Sequence, residues 1–299
     1  MGTSLLLAFP DSEAQATRVA GLAGMPWSLV DVHEFPDGEC RVRLPATLPE
    51  TVVLLRSLDR PNAKLTELLL TARAARELGV RHLALVAPYL CYMRQDAAFA
   101  PGEAVSQRIV GRFLADLFDS VITVDPHLHR VHALGDAIPA HDAVALSAAP
   151  QIGRFLRTQL PDALIVGPDE ESVPWARSVA QHAGWDSTVA NKTRAGDRSV
   201  TIVLPEGAFT GRTVVLVDDM ISTGHTLAQC ARALHERGAR EVYCAVTHAL
   251  CGADALQMLH DAGVKRLWCS DSVAHACSTI ELAPLLADAI GDWLSREGY

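Results

Sequence analysis

Short apolar runs alternate with amphipathic segments along almost the whole chain. Each run is nearly uninterrupted by polar residues, which is the pattern of a strand buried on both faces of a parallel sheet. We predict such strands at residues 4–9, 51–57, 82–89, 120–125, 163–169, 213–219, 241–249 and 266–271. Between them, apolar residues recur at helical spacing over residues 64–79, 106–118, 225–238 and 253–263. Strands and helices that alternate in this way predict an α/β fold, with parallel sheets flanked by helices.

The alternation weakens around residues 143–150, where small residues and a proline follow one another. At 299 residues the chain is long for one domain, and a series of predicted strands stands on each side of this weak point. We therefore predict two similar α/β domains, at residues 1–145 and 146–299. Residues 38–45 alternate polar and apolar side chains, which predicts a hairpin strand with one solvated face.

The composition argues against several classes of protein. Hydrophobic residues make up 49% of the chain and charged residues 20%, so a sizeable core is expected. The net charge is −9 and no basic stripe is present, which argues against a nucleic-acid partner. No apolar stretch reaches the roughly 20 residues that span a membrane, and the N-terminus lacks the pattern of a signal peptide. The seven cysteines form no CxxC pair and are predicted to be free thiols, so we expect a cytoplasmic protein without a membrane partner.

The segment VVLVDDMISTGHTL, at residues 214–227, carries the strongest chemical signal. Asp218 and Asp219 stand side by side at the end of a buried strand, which is unfavourable unless a cation or hydroxyl groups lie against them. The small residues that follow would bring main-chain N–H groups and a helix N-terminus together, and these form a site for a phosphate. A sugar phosphate satisfies both halves of the motif. The alternative is a plain Ser or Thr cap, which explains one hydroxyl group but not the paired acids.

Four further polar clusters are candidates for ligand binding, because ligands of open α/β sheets collect beyond the carboxyl ends of the strands. They are APYLCYMRQD at 87–96, EFPDGE at 34–39, VDPHLHRVH at 124–132 with GPDEES at 167–172, and ANKTRAGDRSV at 190–200. The Arg-Gln-Asp of the first cluster suits a phosphorylated nucleotide, although a surface salt bridge is an equal alternative. PDG is by itself only a turn signal. The last cluster by itself is a polar, mobile loop.

The VDDMISTGHT segment resembles the phosphoribosyl-pyrophosphate-binding motif of the type I phosphoribosyltransferase fold. With the Tyr-x-Arg-Gln-Asp of residues 92–96, the EFPDGE turn and the Lys-x-Arg of residues 192–194, the chain resembles the ribose-phosphate pyrophosphokinases, as a divergent member. The resemblance implies two tandem type I phosphoribosyltransferase-like domains. It also implies transfer of the β,γ-diphosphoryl group of ATP to ribose 5-phosphate, with Mg²⁺ as cofactor. A homo-oligomer built from dimers, with the active site near a subunit interface, follows from the same resemblance.

The resemblance further implies a role for each motif residue. Lys192 and Arg194 match the flexible catalytic loop, whose charges meet the transferred phosphoryl oxygens. His127 and Asp169 correspond to residues near the magnesium ions. The ATP-binding residues of the N-terminal domain would be Phe35, Asp37, Glu39, Arg94, Gln95 and Asp96. The ribose 5-phosphate-binding residues of the C-terminal domain would be Asp218, Asp219, Ser222, Thr223, Gly224, His225 and Thr226.

Three departures from the family pattern leave questions open. The sequence AAFAPGE follows Asp96, where much of the family has further basic residues. Glu170 and Glu171 follow Asp169 where relatives have small residues, and these acids would either bind a cation or cap the next helix. His225 stands where many relatives have glycine, and it either narrows the loop or adds a hydrogen-bond donor.

Other functions remain alternatives. The spacing of His127, His129 and His132 suggests a zinc site, but zinc hydrolases of the HxHxDH type carry an acid where this chain has Val131. A phosphoribosyltransferase would need the STGHT turn but neither the Arg-Gln-Asp cluster nor the EFPDGE turn. A catalytically silent regulatory homologue would keep the fold and oligomerise with an active enzyme, and the Lys-x-Arg pair argues against it.

Overall fold

The chain forms two compact units in the computed structural model, which describes residues 4–128, 130–194, 200–207, 209–296 and 298. The first unit contains the chain up to Leu146 together with the segment from Leu282 onward, and the second is Ser147–Glu281. The division predicted from the sequence placed the C-terminal segment with the second domain instead. The predicted α/β class is confirmed in both units.

The first unit is built around a parallel sheet. Its strands are β1 (Ser4–Ala8), β2 (Trp27–Leu29), β3 (Asp31–Glu34), β4 (Cys40–Arg43), β5 (Thr51–Leu55), β6 (His82–Ala87), β7 (Ser120–Val124) and β8 (Asp142–Leu146). Its helices are α1 (Glu13–Ala23), α2 (Pro61–Glu77), α3 (Ser106–Ala115), α4 (Leu134–Ala137) and the C-terminal helix α9 (Ala283–Arg296). Six described strands form the sheet in the order β2-β1-β5-β6-β7-β8, and β3 and β4 pair antiparallel as a separate hairpin. The central strands are buried on both faces, which is why their sequences are apolar without alternation.

The second unit repeats this arrangement. Its strands are β9 (Leu164–Gly167), β10 (Ser187–Val189), β11 (Asn191–Arg194), β12 (Val200–Val203), β13 (Thr213–Ile221), β14 (Glu241–Ala249), β15 (Val264–Ser270) and β16 (Ser278–Ile280). Its helices are α5 (Ala149–Gln159), α6 (Val173–Ala183), α7 (His225–Glu236) and α8 (Ala253–Asp261). Six described strands form a parallel sheet in the order β10-β9-β13-β14-β15-β16, and β11 pairs with β12 as an antiparallel hairpin. Strand order and hairpin position are therefore the same in both units.

The C-terminal helix α9 completes the first unit by packing against α1. Helix α6 of the second unit corresponds to α1 of the first. It packs against α5, which precedes the strands of the second sheet in the chain. The apolar face of α9 includes Leu286, Ile290 and Trp293, all of them buried. This face would be exposed to water if α9 did not pack against the first unit, so the hydrophobic effect explains why the helix leaves the second domain that was predicted for it.

The eight predicted strands and four predicted helices are all present, but several elements were missed. Residues 143–150 contain the end of β8 and the start of α5 rather than an interruption. Strand β8 lies at the edge of its sheet and is half-buried, so its sequence lacks a continuous apolar run. The glycines at 79, 238 and 263 follow helices with φ of +95°, +84° and +84°, as expected of helix C-terminal caps.

All seven cysteines are free thiols, as predicted. Burial raises the pKa of the Cys91 and Cys230 thiols to about 12. Among the described helices, none combines the length and hydropathy that crossing a membrane requires.

Candidate functional site

The paired acids of the second unit lie within a strand rather than after it. Strand β13 continues past Asp218 and Asp219 to Ile221, because its neighbour β14 also continues and pairs with it there. On the other side, the pairing of β9 with β13 ends at Leu216. Asp218 therefore stands at the carboxyl edge of the sheet, where one neighbouring strand has already ended. The strand was predicted at residues 213–219, with the acids at its end, and it continues two residues further, to Ile221.

The electrostatic surroundings of Asp218 disfavour its negative charge. Burial raises the pKa of Asp218 well above its ordinary value, and the negative charges of Asp219 and Asp169 raise it further. The Asp219 N–H donates to Asp218 Oδ1 at 3.0 Å, which offsets part of this effect. No ion pair among the described side chains includes Asp218. A carboxylate cluster of this kind, at a strand end, favours binding of a cation or of donor hydroxyl groups.

The turn after β13 leaves the start of helix α7 open. Ser222 and Thr223 are exposed, and Gly224 precedes the helix with φ of +79°. A Cβ on Gly224 would meet Ala255 only at ordinary contact distance, so the left-handed φ, not space, favours glycine here. Gly224 has no side chain that could cap the helix, and no side-chain hydrogen bond caps the N-terminus of α7. Main-chain N–H groups at an uncapped helix N-terminus form a site for an anion.

His225 is the first residue of α7, and it is exposed. The φ of His225 is not positive, so the backbone at this position carries a side chain without strain. The departure from glycine therefore adds an imidazole at the rim of the turn. Thr226, one residue further, is half-buried.

Asp169 follows β9, on the strand next to β13. Its Oδ1 accepts from the Ser172 N–H at 3.3 Å, and the Ser172 Oγ accepts from the Asp169 N–H at 3.5 Å. This capping box starts the 3₁₀ turn Glu170–Ser172. Asp169 is therefore the cap, and Glu170 and Glu171 are exposed acids in the first turn.

Lys192 and Arg194 lie in a strand, whereas the residues alone indicated a loop. Strand β11 pairs antiparallel with β12, with Lys192 opposite Ile202 and Arg194 opposite Val200. The side chains of Lys192 and Arg194 lie outside the described part of the chain, as do residues 195–199. Their predicted contact with substrate stays a prediction.

The Arg-Gln-Asp cluster of the first unit lies in the connection between β6 and α3. Arg94 is exposed, and no described side chain forms an ion pair with it. Gln95 Nε2 donates to the Ala97 carbonyl at 3.1 Å and lies 3.4 Å from Glu103 Oε2, so its amide organises the connection. The side chain of Asp96 is 1% exposed and pairs with Arg130 at 2.5 Å.

The EFPDGE turn presents an aromatic ring to solvent. It joins β3 to β4, as the hairpin prediction required, and Gly38 takes φ of +89°. Asp37 Oδ1 accepts from the Glu39 N–H at 3.1 Å. Phe35 is 40% exposed, and its ring meets the edge of His33 with centroids 4.8 Å apart. An exposed, laterally supported ring of this kind can stack on a flat ligand.

The zinc alternative rests on three histidines after β7, of which the structure describes two. His127 is half-buried and His132 is exposed, while His129 lies outside the described residues. Among the described side chains, no group of three or more potential ligands is arranged around a common metal position. His127 belongs to the first unit and Asp169 to the second, and their predicted joint role stays a prediction.

Sequence reasoning missed Arg130. It is a basic residue that follows a predicted strand within a histidine-containing cluster, which was the available signal. Its contact with Asp96 joins connections that are 34 residues apart in sequence, and no local pattern reports such a contact.

Comparisons with known proteins match both halves of the chain. A family described as the N-terminal domain of ribose phosphate pyrophosphokinase matches residues 5–117, and a phosphoribosyl transferase domain matches residues 147–283. A protein of Methanopyrus kandleri named ribose-phosphate pyrophosphokinase is 37% identical over 96% of this chain and 98% of its own length. A protein of the same name from Methanosarcina acetivorans is 34% identical over 94% of this chain and 97% of its own length. The crystal structure of phosphoribosylpyrophosphate synthetase from Mycobacterium smegmatis superposes with a TM-score of 0.84 and 25% identity, covering 99% of this chain and all of that one.

Proposed function

Because the chain belongs to the ribose-phosphate pyrophosphokinase family, we propose that it transfers the β,γ-diphosphoryl group of ATP to O1 of ribose 5-phosphate. The products are phosphoribosyl pyrophosphate and AMP. The observation that carries the proposal is the match at 37% identity across 96% of the chain, which spans both units. A phosphoribosyltransferase or a silent regulatory homologue is not favoured, since the match covers the first unit as well and the Lys-x-Arg pair is present.

The second unit would bind ribose 5-phosphate. The 5-phosphate would bind to the N–H groups at the start of α7, which no side chain caps, with the hydroxyls of Ser222 and Thr223 beside it. Asp218 and Asp219 then face the ribose hydroxyls, which donate hydrogen bonds to them. This arrangement relieves the repulsion between the two carboxylates, because each gains donors in place of water.

The first unit would bind the nucleotide. The exposed ring of Phe35 suits stacking on adenine, with Asp37 and Glu39 near its amino group. Arg94 has no ion-pair partner among the described side chains, and its planar fork of donors suits a phosphate.

The acids of the site fit Mg²⁺, because carboxylate oxygens are its preferred protein ligands. In the second unit Asp169 would hold it, and Asp218 with Asp219 would stabilise it electrostatically. The role of His127 near Mg²⁺, which the family resemblance implies, stays a separate prediction for the first unit. When bound, Mg²⁺ neutralises part of the charge on the ATP phosphates and the attacking oxygen. Burial raises the pKa of Asp218, and the negative charges of Asp219 and Asp169 raise it further; a cation bound beside these acids would offset the repulsion between them.

The reaction is an in-line displacement at the β-phosphorus. The O1–Pβ bond forms, the bond from Pβ to the AMP oxygen breaks, and the proton of the 1-hydroxyl is released. The chain contributes positioning and charge rather than covalent chemistry. Lys192 and Arg194 would meet the charge on the transferred oxygens.

We further propose a cytoplasmic homo-oligomer built from dimers, with the Phe35 hairpin near a subunit interface. The unpaired cysteines support the compartment, and the exposed ring of Phe35 supports the interface. Sedimentation velocity tests the oligomer: a single monomeric species at micromolar concentration would contradict it.

The first experiment is an assay of AMP release with ATP, ribose 5-phosphate and Mg²⁺. We expect AMP and phosphoribosyl pyrophosphate in equal amounts, and no AMP without the sugar phosphate. Absence of AMP would overturn the proposal. Consumption of phosphoribosyl pyrophosphate with a nucleobase would establish the transferase instead, and metal analysis of protein purified without chelator tests for zinc.

A further inference from the structure

The connection between β6 and α3 carries a single positive charge for a polyphosphate, that of Arg94. From Arg94 to the start of α3 the sequence contains no other lysine or arginine, but it contains two acids, Asp96 and Glu103. The residues AAFA follow Asp96. On its own residues this connection is net negative, and it would repel the phosphate chain of ATP.

A base from another connection reaches this position. Arg130 lies between β7 and α4, and its Nη1 donates to Asp96 Oδ1 at 2.5 Å. Its guanidinium carbon lies 5.6 Å from the centroid of the Phe99 ring, within the range of a cation–π contact. Two groups of the β6–α3 connection therefore fix one arginine over it.

The exposure of the two partners separates this pair from an ordinary surface salt bridge. The side chain of Asp96 is 1% exposed, whereas that of Arg130 is 60% exposed. The second oxygen of Asp96 is also buried and has no hydrogen-bond partner among the described residues. Leaving a buried carboxylate without a cation is costly, and Arg130 provides the cation while more than half of its own side chain stays exposed.

The solvent-facing part of Arg130 has capacity for a ligand. A guanidinium carries five N–H donors in a planar fork, of which Asp96 takes one in this structure. Phe99 beside it is 66% exposed, so an arginine and an aromatic ring face solvent together. Oxyanions are the ligands that such a fork binds most strongly.

We propose that Arg130 determines specificity for the nucleotide donor by contacting the phosphate chain of ATP. This rests on the proposed function. Asp96 then acts as a positioning residue that holds Arg130, rather than as a ligand of the nucleotide. Arg130 supplies the charge that the AAFA sequence lacks.

The test compares binding of ATP, ADP and AMP by calorimetry, using the full-length wild-type chain and the variants Arg130→Ala, Arg130→Lys and Arg112→Ala. We expect Arg130→Ala to weaken ATP about tenfold or more, ADP less, and AMP hardly at all, with the KM for ribose 5-phosphate unchanged. Arg130→Lys should retain most of the preference for ATP. Arg112 is exposed on α3, so Arg112→Ala removes the same charge elsewhere and should leave all three affinities unchanged.

Equal weakening of ATP, ADP and AMP by Arg130→Ala would overturn the inference, since Arg130 would then only hold the connection in place. Unchanged affinities would overturn it as well. If Arg130→Ala does not fold, as judged by circular dichroism, Arg130→Gln gives the same comparison. The AMP-release assay separates the two proposals: a wild-type chain that discriminates ATP from AMP through Arg130 but releases no AMP would retract the function and keep the inference.

Discussion

The two units place corresponding strands in the same order, yet the carboxyl edges of their sheets differ in charge. Phe9 follows β1 and Pro168–Asp169 follows β9, and each strand leads through a 3₁₀ turn into a helix of 11 residues. Each helix ends at a left-handed glycine, Gly24 or Gly184. The comparison is therefore between equivalent positions on the same scaffold.

The edge of the first unit is closed by its own ion pairs. Arg56 follows β5, is buried, pairs with Glu67 and lies 3.9 Å above the centroid of the Phe9 ring. Asp11 lies 3.4 Å from Arg56 Nε and 2.9 Å from Lys64 Nζ. Every charge named here has an opposite charge in contact, so this edge has little capacity left for a charged ligand.

The edge of the second unit is left uncompensated. The registers pair Ala8 with Leu55 and Val166 with Leu216, so Asp218 takes the position of Ser57. The Ser57 hydroxyl accepts from the Tyr89 N–H at 3.2 Å, whereas Asp218 faces further acids. A site therefore forms where the fold leaves a charged residue without an opposite charge, at a cost in stability that a ligand offsets.

The largest expected effect is on turnover, and it distinguishes the β3–β4 hairpin of the first unit from the equivalent β11–β12 hairpin of the second. Lys192→Ala combined with Arg194→Ala should lower turnover by about 10³-fold or more, because the charge on the transferred oxygens loses its partners. Ribose 5-phosphate binding, measured by calorimetry, should be nearly intact. The control is Arg41→Ala with Arg43→Ala in the first hairpin, whose arginines pair with Asp31. Equal losses in both double variants would remove the distinction between the hairpins.

The second prediction uses stability. Glu67→Gln removes the more buried of the two carboxylates that pair with Arg56, leaves only Asp11, and should destabilise the chain by about 2 kcal/mol. Asp218→Asn removes like-charge repulsion and should stabilise it by up to about 1 kcal/mol while lowering activity. Urea unfolding measures both, with the exposed Glu206→Gln as a neutral control. If both variants changed the free energy of unfolding in the same direction, the two sheet edges would not differ in charge compensation as described.

The third prediction concerns the start of α7. His225→Gly should change kcat/KM by less than about tenfold, or about 1.4 kcal/mol, because His225 is exposed and its backbone is unstrained. Complete loss of activity would mean that the imidazole contacts substrate.

The smallest expected effect is on the alkylation of buried thiols, which should be equally slow in the two units. Because the pKa of Cys91 and of Cys230 is raised to about 12, both thiols stay protonated at pH 8 and should resist iodoacetamide in the folded chain. Mass spectrometry should find label first on the half-buried Cys40 and Cys277, and on all seven cysteines after denaturation. Early labelling of Cys230 would show that the core beneath Asp218 opens.

Local patterns predicted much of the fold and part of the site. The apolar runs located the central strands because burial on both faces leaves no room for polar residues. They missed β8, a half-buried edge strand. The carboxylate pair and the small-residue turn were also visible, since both lie within one short stretch, although the strand was predicted to end at Asp219 and continues to Ile221.

By itself the sequence determined the fold class, the order of the central strands and helices along the chain, and the stretches that carry ligand chemistry. Each of these depends on residues that are neighbours in the chain. Only the tertiary structure decided that α9 packs on α1, that Arg56 and its partners close the first edge, and that Arg130 reaches Asp96. Those outcomes depend on which distant surfaces fit and which charges are desolvated together, and spacing along a chain does not specify either.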